Sequence, residues 1–419
     1  RLRPHPHTPR VTSRTQDSAR SREPPTHMQL TTSNSRRLTV AAAAAAAATL
    51  VYLAYRRRER KLLKQNLDAI RSRASALLSN LGAPSGLIRS WVDPSCEYEA
   101  ETADARRAFF DAHGFLHVRG FCTPAECEAM LRRMAELADG WDPLREAAAF
   151  STGDDQEAAQ GSSDYFMDSA DRIHFFMEVK AEAAGGGLKP EYANRKGEAL
   201  NKVGHGLHVV DDVFRAYCDA PKLGALVRAL GWRAPAVPQS MYIFKQPRIG
   251  GEVTSHQDSC FLYTEPRQTC LGLWLALEPA TLTNGCLWVR PGSHREALRR
   301  AFRRNPAHYE AGDATAPQMV FEAEQPQESV PWEGKLPERS WPPPSDGLFD
   351  AGFVPVECAA GDLVVFPGTL DHLSLANSTE KSRHTFQLHL VEGEAEGVRW
   401  SKSNWLQYPE GRSFHSLPK

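Results

Sequence analysis

From about residue 237 the chain is written as short strand-like runs divided by turn signals, and that texture restricts the fold more than any other feature. The runs are "VPQSMYIFKQP", "FLYT", "LGLWLALEPA", "GCLWVR", "DLVVFPG" and "HTFQLHLVE". Each is short, rich in Val, Leu, Phe, Tyr or Trp, and bounded by Gly, Pro, Asn or Asp, as strands are. "TNGC" (283–286) carries an Asn-Gly pair and predicts a tight hairpin between two of the runs. Upstream the texture is helical. "AETADARRAFFDAHGFLHVRGFCTPAECEAMLRRMAELADGW" predicts a helix broken at His113-Gly114, a strand over "FLHV", and a second helix. Thr123, Pro124 and Glu126 supply the second helix with a cap, a proline in its first turn and an early acid. Helices first and a block of strands after predict a mainly β fold with α cover, a barrel or sandwich. Residues 301–350, rich in Pro, Glu and Arg without periodicity, read as a surface insertion in a folded domain spanning 101–419.

The N-terminal hundred residues have a different character. Residues 1–37 hold eight arginines against two acids and predict a disordered basic leader. "LTVAAAAAAAATLVYLAY" (38–55) is uncharged and long enough to span a bilayer, although nine of its residues are alanine. The dense "RRRER" that follows would hold the folded domain on the cytosolic side of a single-pass membrane anchor. The alternative is a cleaved organelle transit peptide, since such leaders are Arg-rich, Ser-rich and poor in acids. Residues 56–100 then read as a helical stalk and linker, with Leu63, Leu67, Ile70, Leu77 and Leu81 on one face.

Charge and cysteine content exclude some partners. With 50 basic and 51 acidic residues the net charge is −1, so no general attraction to nucleic acid is encoded. The eight cysteines are scattered without C-x-x-C spacing, which predicts buried reduced thiols and no zinc ribbon. No obligate protein partner is indicated, and a small-molecule substrate is expected.

Within the strand block, "SHQDSC" (255–260) places His256 and Asp258 two apart, hence on one side of an extended backbone. One His-x-Asp is commonly a surface turn, so a third ligand must come from elsewhere. His294, His372, His384 and His389 are the candidates. His372 fits best, because "GDLVVFPGTLDH" brings a core strand to its turn there. His294 sits in "PGSH", while His384 and His389 fall on opposite faces of one strand. Two histidines and one carboxylate make the facial triad of non-haem Fe(II) oxygenases, which leaves adjacent positions for a 2-oxo acid and O2. The far carboxylate of that co-substrate calls for a buried planar cation, and Arg383 opens the next strand.

"SMYIFKQPRIGGEVTSHQDSCFLYTEP", "LGLWLALEPATLTNGCLWVRPGSH" and "DHLSLANSTEKSRHTFQLHL" together resemble the phytanoyl-CoA dioxygenase family, over about 105–408. The resemblance implies a double-stranded β-helix, a cupin-like jelly roll, using Fe(II), 2-oxoglutarate and O2, with ascorbate helpful. It implies metal ligands at His256, Asp258 and His372 and a 2-oxoglutarate arginine at Arg383. Lys202, Met241 and Trp274 match its other co-substrate contacts, and Gln257, between two ligands, joins that set. His205 and His208 are expected to line the barrel mouth or to pack structurally. Tyr263 and Gln239 are further contact candidates. The expected reaction is hydroxylation of a small organic, lipid or acyl substrate, releasing succinate and CO2. Two other classes compete: a cupin-type metalloenzyme working without 2-oxoglutarate, and a non-catalytic membrane-tethered binding protein.

Overall fold

The computed structural model describes residues 32–81, 100–145, 148–152, 160–323 and 345–419. Most of the basic leader expected over 1–37 lies outside those residues. The chain divides into two units, Arg1–Leu62 and Leu63–Lys419. The described part of the first is a stretch of helix α1 (Thr32–Asn80), whose side chains are exposed from Thr49 to Leu62.

The second unit is built on two sheets. The larger runs in the order β1 (Leu116–Val118), β10 (Leu363–Pro367), β7 (Leu271–Ala276), β12 (Thr385–Glu392), β5 (Pro235–Ile243), β4 (Leu200–His205), β3 (Ile173–Glu178) and β2 (Ala148–Phe150). The smaller runs β9 (Val354–Val356), β8 (Leu287–Val289), β11 (His372–Ser374) and β6 (Val253–His256). Within these two sheets only the β2–β3 pairing is parallel. Chain-adjacent strands such as β7 and β8 belong to different sheets, the connectivity of a double-stranded β-helix. The expected mainly β fold with α cover is therefore the observed one.

Strand β12 shows how the sequence makes a sheet with a wet face and a dry face. Phe386, Leu388 and Leu390 are fully buried under helical cover. The Phe214 ring of α4 (Asp212–Cys218) lies 4.8 Å from Phe386 and 6.0 Å from Tyr242 of β5. Burying such a ring stabilises the fold by about 1.5–3 kcal/mol, so Phe214→Ala would detach the cover from the sheet. The alternate residues, Gln387 and His389, face a cavity on the other side. Helix α2 (Ala100–His113) ends at Gly114, where φ is +78°, and α3 (Pro124–Gly140) begins with the expected capping box. Thr123 accepts from the Glu126 amide at 3.2 Å, and Glu126 accepts from the Thr123 amide at 2.7 Å.

Several expectations are corrected. "TNGC" is not a hairpin: it turns the chain from β7 in one sheet to β8 in the other, closed by Cys286 N–H donating to the Thr281 carbonyl at 2.9 Å. Gly285 there has φ +88°, and a Cβ would lie 2.3 Å from Lys245 Cε, so glycine is required. The 301–350 segment, expected as a surface insertion, carries regular structure where it is described. Arg300–Arg304 pairs antiparallel with Met319–Ala323, burying Phe302 and Met319, and Ser345–Asp350 is helical. The stalk is also not free around residues 70–74, within its described part. Ile70 and Ala74 of α1 are buried in the core of the second unit, and Arg71 pairs with Glu357 at 2.6 Å. Finally, among the described residues no helix is long and apolar enough to cross a membrane. Most of the anchor expected at 38–55 falls on residues whose side chains lie outside the described ones. The seven described cysteines are all buried free thiols, as expected.

Candidate metal centre and co-substrate cavity

His256 ends β6 and His372 starts β11, and the antiparallel register sets these two residues directly opposite each other. Their rings are 4.2 Å apart. Asp258 begins a single 3-10 turn just beyond β6, but Gln257 before it stays extended (φ −118°, ψ 124°), so Asp258 still points to the side of His256. Asp258 Oδ1 lies 3.4 Å from His256 Nε2 and 3.7 Å from His372 Nε2. These ligand atoms all lie within 4.8 Å of one another.

Hydrogen positions follow from the partners. His256 Nδ1 faces the Thr254 carbonyl at 2.8 Å, and His372 Nδ1 faces the Leu370 carbonyl at 3.0 Å. A carbonyl only accepts, so each Nδ1 carries the proton and each Nε2 presents a lone pair to the cluster. Burial alone would raise the Asp258 carboxyl, but the nearby His389 and His372 and the hydrogen bond from His389 hold it well below its ordinary value. Burial and the adjacent His256 push His372 down to about 4. Two neutral imidazoles and one carboxylate, all facing inward, are the donor set a divalent iron takes.

His389, weighed as a ligand, has a supporting place instead. Its Nε2 donates to Asp258 Oδ2 at 3.0 Å, and Gln239 Nε2 donates to its Nδ1 at 3.1 Å. That chain orients the carboxylate and leaves Oδ1 to the histidines. Gly272 makes room for it, since a Cβ there would sit 2.9 Å from the Phe366 ring and 3.2 Å from Asp258 Oδ2. A second network pins the strand ends that carry the ligands. Asp371 accepts from Ser255 at 2.6 Å, from Arg290 at 3.0 Å and from Arg299 at 2.8 Å, joining the ends of β6 and β11.

The cluster opens onto a cavity that also holds Arg383, Lys202, Met241 and Trp274. Arg383 is 2% exposed and its guanidinium lies 5.2 Å above the Trp274 ring. Among the described residues no carboxylate pairs with it; its guanidinium donates to Thr385 Oγ1 at 3.3 Å, and Nε has no partner. A buried cation with an orphaned donor, facing the same cavity as the metal cluster, fits a carboxylate ligand. Lys202 is buried too. Its ammonium sits 3.3 Å from the Phe150 ring centroid and donates to His205 Nε2 at 3.1 Å.

Other expected residues fall elsewhere. The Gln257 side chain is outside the cavity: its amide donates to the Thr369 carbonyl at 2.9 Å and its oxygen accepts from Arg299 N–H at 3.1 Å. Because Gln257 alternates with the ligands along an extended backbone, it must point away from them. His208 is structural, held by Ser240 Oγ at 2.9 Å and the Val237 carbonyl at 3.0 Å, while His205 lines the cavity. His384 bonds Tyr242 on the opposite face of β12, and His294 lies near Asp111. Tyr263 stacks under Arg303 and does not line the cavity.

The chain is similar to known proteins over most of its length. The sequence profile of the family described as "Phytanoyl-CoA dioxygenase (PhyH)" matches residues 110–385. "Phytanoyl-CoA dioxygenase 1" of Oryza sativa subsp. japonica is 42% identical over 306 residues, covering 73% of this chain and 93% of that protein. "Phytanoyl-CoA dioxygenase domain-containing protein 1" of Mus musculus is 42% identical over 302 residues, covering 71% and 92%. Among solved structures, the epimerase SnoN in complex with Fe3+, alpha ketoglutarate and nogalamycin RO superposes with a TM-score of 0.47 at 14% identity, covering 76% of this chain and 96% of that one.

Proposed function

Because the chain belongs to the phytanoyl-CoA dioxygenase family, we propose that it is a 2-oxoglutarate-dependent non-haem iron hydroxylase of a small organic substrate, of lipid or acyl type. The observation that carries this reading is the conjunction, in one cavity, of an inward-facing His256/Asp258/His372 cluster and a buried Arg383 without a counter-ion.

His256, Asp258 and His372 would hold the metal, and their hydrogen bonds orient them for it. When bound, iron supplies the redox chemistry by which O2 converts 2-oxoglutarate to succinate and CO2 and a substrate C–H to C–OH. Arg383 takes the distal carboxylate of 2-oxoglutarate as a bidentate partner, with Trp274 keeping the guanidinium flat and in place. Met241, beside Lys202 at 4.0 Å, and the Phe150 and Phe166 rings form apolar walls that keep water from the reacting atoms. Lys202, poised on an aromatic platform, supplies a second cation to the co-substrate.

The test is succinate formation from 2-oxoglutarate in air, with Fe(II) and ascorbate and no added substrate. Slow uncoupled turnover by the wild type, absent from His372→Ala, is expected. Equal succinate from both proteins would remove His372 from the site.

A further inference from the structure

The cavity contains one acidic side chain that the metal cluster does not use. Glu178, the last residue of β3, is 4% exposed and lines the cavity on the same face of its strand as Phe176. One carboxylate oxygen, Oε1, has no hydrogen-bond partner. The other lies toward Gly251, whose backbone N–H and the Asn201 side chain favour the ionised form. Its nearest natural counter-ion is already engaged: Lys245 Nζ donates to the Gly251 carbonyl at 2.8 Å and to Ser374 Oγ at 2.9 Å. Among the described residues no cation lies within ion-pair distance of Glu178. Burial pushes its carboxyl up to about 7, the mark of an anionic group short of partners.

A buried acceptor left without a donor is destabilising, and a hydrocarbon laid against it would leave the cost in place. A ligand group that donates a hydrogen bond would remove it. We propose that Glu178 is a specificity-determining residue of the hydroxylase site: it anchors a hydrogen-bond donor of the substrate, an amine or a hydroxyl, at a fixed distance from the metal cluster. This rests on the reading of the cavity as the oxygenase site, and it narrows the substrate class from any lipid or acyl chain to one bearing such a donor. Above about pH 7, where it is ionised, the same carboxylate rejects an anionic end group.

Three six-carbon probes that differ only at one end, hexylamine, 1-hexanol and hexanoate, test this by calorimetric titration of the protein loaded anaerobically with Fe(II) and 2-oxoglutarate. The wild type is expected to bind the amine and the alcohol at least about 10-fold tighter than hexanoate, as a hydrogen bond to a charged acceptor requires. Glu178→Leu, close in shape, should erase that preference, while Glu178→Gln should keep the alcohol and lose the amine advantage. Hexanoate binding best, no probe binding the wild type, or a preference surviving in Glu178→Leu would overturn the proposal. Substrate-free succinate formation by the same wild-type preparation separates the two readings. A probe preference without succinate would defeat the oxygenase reading and leave the anchor standing, and the reverse would defeat the anchor alone.

Discussion

Three clusters among the described residues bring a histidine, an aspartate and a third ligand-type side chain within 4.8 Å of one another; beside Cys218, Asp219 and His415, the two that contrast most are, first, His256, Asp258 and His372 and, second, His117, Asp362 and Cys358. In the first, backbone carbonyls take the Nδ1 protons, so both Nε2 lone pairs face inward, and Asp258 Oδ1 meets only the histidines. In the second, the aspartate is already spent. Asp362 accepts from the Gly120 amide at 2.8 Å, from the Ala359 amide at 2.9 Å and from His117 Nε2 at 3.1 Å. His117 therefore turns a proton, not a lone pair, into its cluster, and burial keeps the Cys358 thiol protonated by pushing it well above its ordinary value. The second cluster ties β1 to the turn before β10; only the first also opens on a cavity with an unpaired arginine. Residue types in proximity do not make a metal site; the direction of the protons does.

That contrast can be broken by substitution, and the largest effect belongs to the first cluster. Asp258→Ala should abolish both iron binding and substrate-free succinate formation, read by metal analysis of the reconstituted protein and by succinate assay. Next comes the network behind the ligands. Asp371 is 2% exposed and pairs with two arginines, so Asp371→Ala leaves uncompensated buried charge. It should lower stability by about 3–5 kcal/mol in denaturant unfolding. His389→Phe removes the donor that orients Asp258 and should weaken iron binding by roughly 10- to 100-fold with little loss of fold, measured by competition with a chelator. The smallest effect is expected in the second cluster. Asp362→Asn should cost about 1–3 kcal/mol of stability through its mismatched backbone donors and leave iron stoichiometry unchanged.

How much of this was legible in the chain depends on distance along it. His256 and Asp258 share a face because Gln257 is extended, a property visible in three residues. His372 was legible because "GDLVVFPG" is an evident core strand with a turn after it. His389 was not, since its meeting with Asp258, 131 residues away, depends on β12 pairing with β7 so that His389 faces Gly272. The same non-local pairing misleads at 283–286, where Asn-Gly is a good turn but the strands it joins go to different sheets. The 300–323 ladder leaves no clean period in the sequence, because Ala301 and Phe302 lie together between Arg300 and Arg303 and its partner strand mixes Met319, Val320 and Phe321 with Glu322. Glu178 carries no sequence signal at all, because only folding buries it and leaves one oxygen without a partner.

The most direct measurement is anaerobic Fe(II) binding by equilibrium dialysis, comparing the wild type with His372→Ala and His117→Ala. One iron per chain in the wild type and in His117→Ala, and none in His372→Ala, is the predicted result. Binding that survives His372→Ala, or that disappears in His117→Ala, would contradict the assignment of the metal to the cavity cluster.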